Sequence, residues 1–202
     1  MKLYKTTIVA ITLVSLAAFT PSTIKLAVGD PIPLAHFEMT NIDGSSTFLR
    51  QEMKMNGLLV IFSCNTCPFV IQWEDRYNLL FELCDKNDLG MVLINSNEAK
   101  RNGDDSMQKM QDKAEAEGYK MKYLIDTDHV VADAFGARTT PHVYLFNKDA
   151  KLAYTGSIDD NSENKEEVTQ TYLSDAIKSL VAGNSIDPNT TKSIGCSIKR
   201  VQ

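Results

Sequence analysis

Two cysteines, Cys64 and Cys67, stand at CxxC spacing in Ser63-Cys64-Asn65-Thr66-Cys67-Pro68, where an apolar run gives way to an amphipathic one. Two sulfurs so spaced close a small disulfide ring and reopen it by exchange with another thiol. The same spacing is also half of a zinc site. A structural zinc takes four ligands, and the remaining candidates, Cys84, Cys196, His36, His129 and His142, include no second close pair. Dithiol redox chemistry is therefore expected ahead of zinc and ahead of an inert structural disulfide, with no resident metal and no cofactor.

The elements on either side must position these sulfurs. Residues 57–62, Gly-Leu-Leu-Val-Ile-Phe, are short, apolar and partly β-branched, and read as a buried strand. Residues 69–83 repeat apolar side chains at three and four, placing Phe69, Trp73, Tyr77, Leu80 and Leu83 near one face of a helix. Pro68 suits the first turn of that helix, where its missing N–H is not needed. The unpaired amides and positive dipole end of the first turn favour a thiolate, expected at Cys64, with Cys67 one turn deeper and less reactive.

Length and charge bound the rest. A chain of 202 residues suits one domain with a sizeable core, and no repeat of solenoid period is present. A net charge of -5 without a basic stripe argues against nucleic acid and against steering toward anionic membranes. At the N-terminus, Lys2 and Lys5 precede an apolar run over residues 8–19, too short to cross a bilayer comfortably, with Ser15, Ala17 and Ala18 as small residues for cleavage. Residues 1–20 read as an export signal, Ala27 being a weaker alternative cleavage point. The folded domain is then expected in the periplasm or otherwise outside the cytoplasm, as a monomer with no membrane segment in its mature form, in an oxidising setting.

Along the chain, short alternating runs flank Asn41-Ile42-Asp43-Gly44 and predict a hairpin. After the CxxC unit come a buried strand at 91–94, a polar loop at 95–104, a charged helix at 105–117 ended by Gly118, a strand at 123–125 and a helix at 130–135 closed by Gly136. A second hairpin is predicted from 142–146 and 151–154 around Asn147-Lys148-Asp149-Ala150. A last helix over 165–182 directs Val168, Tyr172, Ile177 and Leu180 to the core, and 183–202 is a tail of little periodicity. Alternating strands and helices imply βαβ units around a mainly parallel sheet.

This order, with Cys64-Asn65-Thr66-Cys67-Pro68, Thr139-Thr140-Pro141 before a strand, and the ending Ile194-Gly195-Cys196-Ser197-Ile198-Lys199, resembles the thioredoxin superfamily over residues 28–182. The branch it looks like is the redoxin or AhpC/TSA-type thiol-disulfide oxidoreductases. The resemblance implies an α/β thioredoxin-like fold: a central mixed sheet flanked by helices, with an N-terminal hairpin and one inserted strand-helix unit. It implies Cys64 as nucleophile and Cys67 as resolving thiol, a cis bond before Pro141, and a Thr140 backbone that faces the disulfide and pairs with a substrate chain. The activity implied is dithiol-disulfide exchange with protein thiols and disulfides, renewed by a redox partner that supplies or removes electrons; the direction depends on relative potentials.

The chain departs from thioredoxins in having Ser63 before the first cysteine and Asn65-Thr66 between the pair, so both are auxiliary candidates that bear on substrate range and potential. The apolar strand at 58–62 holds no acid to assist proton transfer, which leaves Glu98 in the following loop as a candidate, and Arg138 is a candidate partner for a thiolate. Cys84 reads as a small buried hydrophobe. Cys196 has three readings: a disulfide with Cys84, a third redox thiol folded over the CxxC, or an exposed thiol. A different function class, a copper-binding or copper-delivery module, would use Cys64, Cys67 and His142. A peroxidase of peroxiredoxin type is disfavoured, because Ile61 and Cys64 stand where such an enzyme needs a threonine before its reactive cysteine.

Overall fold

The computed structural model describes residues 26–201, so the expected export signal over residues 1–20 lies outside the described residues. Among the described residues no helix is long and apolar enough to cross a membrane. The chain opens with the hairpin β1 (Met39–Asn41) and β2 (Ser46–Thr47), followed by the single turn α1 (Leu49–Glu52). The apolar run forms β3 (Leu58–Ser63), buried along its whole length. Then come α2 (Pro68–Trp73), α3 (Tyr77–Lys86), β4 (Gly90–Asn95), α4 (Met107–Ala116), β5 (Lys122–Ile125) and α5 (Val130–Phe135). Last are β6 (Thr139–Thr140), β7 (His142–Phe146), β8 (Leu152–Gly156), α6 (Tyr172–Val181) and β9 (Cys196–Ser197).

A strand without exposed residues must be paired on both edges, and β3 is: parallel to β4, and antiparallel to β7. The seven-stranded sheet runs β2-β1-β5-β4-β3-β7-β8, mixed in direction, with the N-terminal hairpin attached through β5. Helices cover both faces because successive strand residues point to opposite sides. Leu59, Ile61 and Leu93 pack with Trp73, Tyr77, Leu80, Met110 and Ile177 on one face. Leu58, Val60, Phe62 and Ile94 pack with Leu49, Val131 and Phe135 on the other. This is the expected fold class, with both hairpins and, after the CxxC helix, the additional strand and helix, β4 and α4, where the sequence places them.

Three elements differ from expectation. The helix after the CxxC is not continuous: α2 gives way to a 3-10 turn at Glu74–Arg76 before α3. Two charged side chains are buried at that turn and need partners. Glu74 meets Lys113 at 2.7 Å, while Arg76 donates to Asn161 O and to Gln72 O, the carbonyl that an unbroken helix would offer the Arg76 amide. The C-terminal helix starts at Tyr172 rather than 165, because Asp160 takes both the amide and the hydroxyl of Thr169, fixing that stretch as a loop. Its buried residues are Leu173, Ala176 and Ile177, with Tyr172 and Leu180 packed against the core as expected, whereas Val168 lies outside the helix. Finally, the tail is not featureless: it carries β9, antiparallel to β6.

Gly57, just before β3, has φ +122°, and a Cβ there would lie 2.0 Å from Phe146 O. A side chain at that point pushes β3 off β7. Gly57→Ala is expected to destabilise the fold by more than about 1 kcal/mol, since the backbone conformation and the space both exclude it. Chemical denaturation monitored by the fluorescence of Trp73 measures this directly.

Candidate active site

The CxxC lies where β3 leaves the sheet, and both sulfurs are covered: Cys64 is 3% and Cys67 4% exposed. All four cysteines are free thiols. The Thr140–Pro141 peptide is cis, and it brings β6 against the pair. Cys64 Sγ lies 3.3 Å from Thr140 Oγ1, and Cys67 Sγ donates to the Thr140 carbonyl at 3.1 Å. A cleft of about 200 Å³ opens over them, with Thr66, Lys100, Cys196 and Lys199 on its walls.

The loop between the cysteines is held by an acid that the sequence reading passed over. Asp105, with no exposed surface, accepts from the Asn65 amide at 2.8 Å and from Asn95 Nδ2 at 2.7 Å on one oxygen, and from Asn97 Nδ2 at 3.0 Å on the other. Asn65 Nδ2 donates to Asp104 O, and Tyr123 Oη donates to Asn65 Oδ1. Asn65 is thus a buried clamp on the loop, whereas Thr66 faces the cleft. Ser63 meets Tyr77 Oη at 3.1 Å, tying the strand end to α3.

The two sulfurs titrate together. The hydrogen bond from Cys64 draws Cys67 down to about 4, against the cost of burial, and the Cys196 thiol and the amides of Val70 and Cys196 lower it further. The same bond, together with burial and the negative charge of Asp105, pushes Cys64 well above the ordinary thiol range. When Cys67 ionises it gives up its own bond to Thr140 O and accepts from Cys64. The helix begins at Pro68, so Cys67 is its N-cap and sits in the positive end of the dipole, while Cys64 lies outside the helix beside Asp105.

Other candidates move away from the pair. Glu98 is held by Arg101 at 3.4 Å on the 3-10 turn after β4, and the acid at the dithiol is Asp105 instead. Arg138 opens into a separate cavity of about 360 Å³, with His142, Tyr144 and Thr155, rather than toward a thiolate. His142 stacks on Tyr144 at 4.5 Å between centroids and contacts Tyr144 Oη and Thr155 Oγ1, so it does not join Cys64 and Cys67 in a copper site. Among the described residues no group of three or more His, Cys, Asp or Glu side chains is arranged to hold a metal. Cys84 is the buried hydrophobe expected, pushed up to about 12 by desolvation. It sits in the core while Cys196 packs on the CxxC, so the two do not pair. The Thr140 backbone is not free for an incoming chain: Cys196 already occupies its edge.

Three comparisons bear on this site. The family model described as Redoxin matches residues 27–173. A structure of an uncharacterized conserved protein from Geobacillus kaustophilus is 33% identical, covering 87% of this chain and 93% of its own, with a TM-score of 0.81. A hypothetical protein from Sinorhizobium meliloti 1021 is 28% identical over 88% of this chain and 97% of its own, with a TM-score of 0.80. The peroxidoxin BcpB of Mycobacterium tuberculosis, 17% identical over 79% of this chain and 99% of its own at a TM-score of 0.60, shares the fold. Comparison with curated protein sequences finds no match.

Two measurements follow from the geometry. In the reduced protein, alkylation mapped by peptide mass spectrometry across pH should label Cys67 from about pH 4 upward, with Cys64 resisting to beyond the ordinary thiol range. Labelling of Cys64 first would reassign the thiolate. Asp105→Asn removes the charge that disfavours the Cys64 thiolate and leaves one of three buried donors facing an amide. It should cost about 1–3 kcal/mol of stability and lower the Cys64 titration, read by thermal unfolding and by thiolate absorbance against pH.

Proposed function

The chain belongs to the redoxin family, and from that premise we propose that it is an exported thiol-disulfide oxidoreductase whose working pair is Cys64 and Cys67. The observation that carries this reading is the pair itself: two free thiols, both against Thr140 and side by side under a cleft. A nucleophile with an adjacent resolving thiol is what dithiol exchange requires. The lysine-bearing signal-like N-terminus supports an extracytoplasmic setting.

In the reducing direction Cys67 thiolate attacks one sulfur of a partner disulfide. A Cys67–partner bond forms, and the other partner sulfur leaves as thiolate. Cys64 gives its proton to that leaving group and attacks Cys67 Sγ. The Cys64–Cys67 disulfide forms as the second partner sulfur departs, so the partner gains the two electrons that the pair loses. Run backward, the same steps oxidise a dithiol. Thr140 Oγ1, 3.3 Å from Cys64 Sγ, is placed to stabilise the Cys64 sulfur as it ionises. Thr140, next to Pro141, forms part of the wall of the site rather than an open peptide-pairing edge. The partner, a protein loop or a low-molecular-mass disulfide, enters through the cleft between Lys100 and Lys199.

The test is a redox titration of the protein in dithiothreitol buffers, with free thiols counted after acid quenching, beside turnover of a disulfide substrate. Oxidation should consume two of four thiols, mapped to Cys64 and Cys67. Cys67→Ser should abolish exchange by removing the initial attack, and Cys64→Ser should lose the Cys64–Cys67 disulfide and slow multiple-turnover exchange. Full turnover in either variant would refute the assignment.

A further inference from the structure

The tail places a third sulfur at the pair. Cys196 is the residue of β9 opposite Thr140, and its side chain packs with Cys64, Cys67 and Val70. That strand lies along the edge of the cis-proline loop, where an extended substrate chain would pair. Its approach depends on Gly195, since a Cβ there would lie 2.2 Å from Thr140 O. The residues after Cys196 are anchored from several sides. The Ile198 amide donates to Arg138 O at 2.9 Å, and the Ile198 side chain is buried. The Lys199 amide donates to Asn97 Oδ1 at 2.8 Å, and Lys199 O accepts from the Ala99 amide. Arg200 donates to Asp133 at 2.7 Å and to Ala137 O at 2.6 Å. The thiol is therefore held at the site, not brought there by diffusion, which raises its effective concentration.

Cys64, Cys67 and Cys196 pack in one cluster and line one cleft, while Cys84 is committed to the core. Cys196 is only half-buried and lines the cleft. We propose that Cys196 is a third redox thiol, presented by the tail as an in-built substrate strand, so that Cys67 passes its disulfide between an inner partner, Cys64, and an outer one, Cys196. The inference rests on the dithiol reading above and extends it. Starting from the Cys64–Cys67 disulfide, the Cys196 thiolate attacks Cys67 Sγ. The Cys67–Cys196 bond forms as the Cys64–Cys67 bond breaks, and Cys64 leaves as a thiolate and takes the proton that Cys196 lost. No outside oxidant is consumed. An external thiol then attacks Cys196 Sγ, making a mixed disulfide there and releasing Cys67.

The experiment uses reduced Cys64→Ser protein, with Cys64→Ala as a second variant in case either folds poorly, exposed to glutathione disulfide and mapped after alkylation. The expected product is a Cys67–Cys196 disulfide, with loss of two free thiols and only Cys84 left to alkylate. A Cys67–glutathione adduct that persists beside a free Cys196 would overturn the proposal. Gly195→Ala in the same background should lose the Cys67–Cys196 bond without loss of fold by circular dichroism; unchanged formation would show that the strand does not deliver the thiol. Cys196→Ser separates the two readings. If it no longer forms Cys64–Cys67, the proposed function itself fails; if it forms that bond but turns over a disulfide substrate as fast as the parent protein, only the third-thiol inference fails.

Discussion

A carboxylate without exposed surface has to be met by donors, and the site is arranged around the donors that meet Asp105. Its oxygens gather Asn65 from the cysteine loop, Asn95 from the end of β4 and Asn97 from the turn beyond. Arg101 closes the same region from outside, donating to the carbonyls of Asp105 and Asn95. Through Asn97 the network reaches the Lys199 amide in the tail. One buried acid therefore fixes the loop that carries the sulfurs, the strand beneath them and the segment that covers them.

The same acid explains why the two thiols are unequal. Cys64 feels a negative charge in a place with little water to screen it, which disfavours its thiolate. Cys67, at the head of α2, has the Cys64 thiol and backbone amides pointed at it. Opposite environments on adjacent sulfurs leave one proton to hold between them, and the helix start decides where the charge sits.

Much of the fold was legible because it rests on local signals. The strand at 58–62 and the hairpins around Asp43-Gly44 and Asn147–Ala150 follow from apolar runs bounded by turn residues, and Ser106 caps α4 close to the expected start. Position of the cysteines and of Thr140-Pro141 was legible too, from type and spacing. What escaped were effects of residues distant in sequence. Asp105 looked like the first residue of a charged helix, and only the register of β4 beside β3 brings it under Asn65. The break at Glu74–Arg76 depends on Lys113 and Asn161, and the late start of α6 on Asp160. His142 sits at the end of a strand where its neighbour Phe62 pairs with it across the sheet, yet its ring meets Tyr144 and Thr155 and lines a cavity separate from the cleft over the sulfurs. One signal for Asp105 was available: Asn95, Asn97 and Asp105 form a polar cluster straight after a wholly buried strand, where unsatisfied groups must find one another.

The placement of the tail bears on which partners the site admits. In an open thioredoxin-like site the backbone beside the cis-proline offers hydrogen bonds that any extended chain can use, so recognition is broad and shallow. Here Thr140 is buried and its ladder is filled by Cys196, so that general grip is unavailable unless the tail is displaced. Displacement would break the contacts of Ile198, Lys199 and Arg200 together, because these three residues follow one another directly after β9. Access is then left to what fits the cleft, whose walls carry two lysines and no carboxylate. Under the proposed exchange function, two lysines at the opening of a chain with net charge -5 would favour partners presenting a disulfide next to negative groups, selecting by size and charge where an open site would select by backbone pairing.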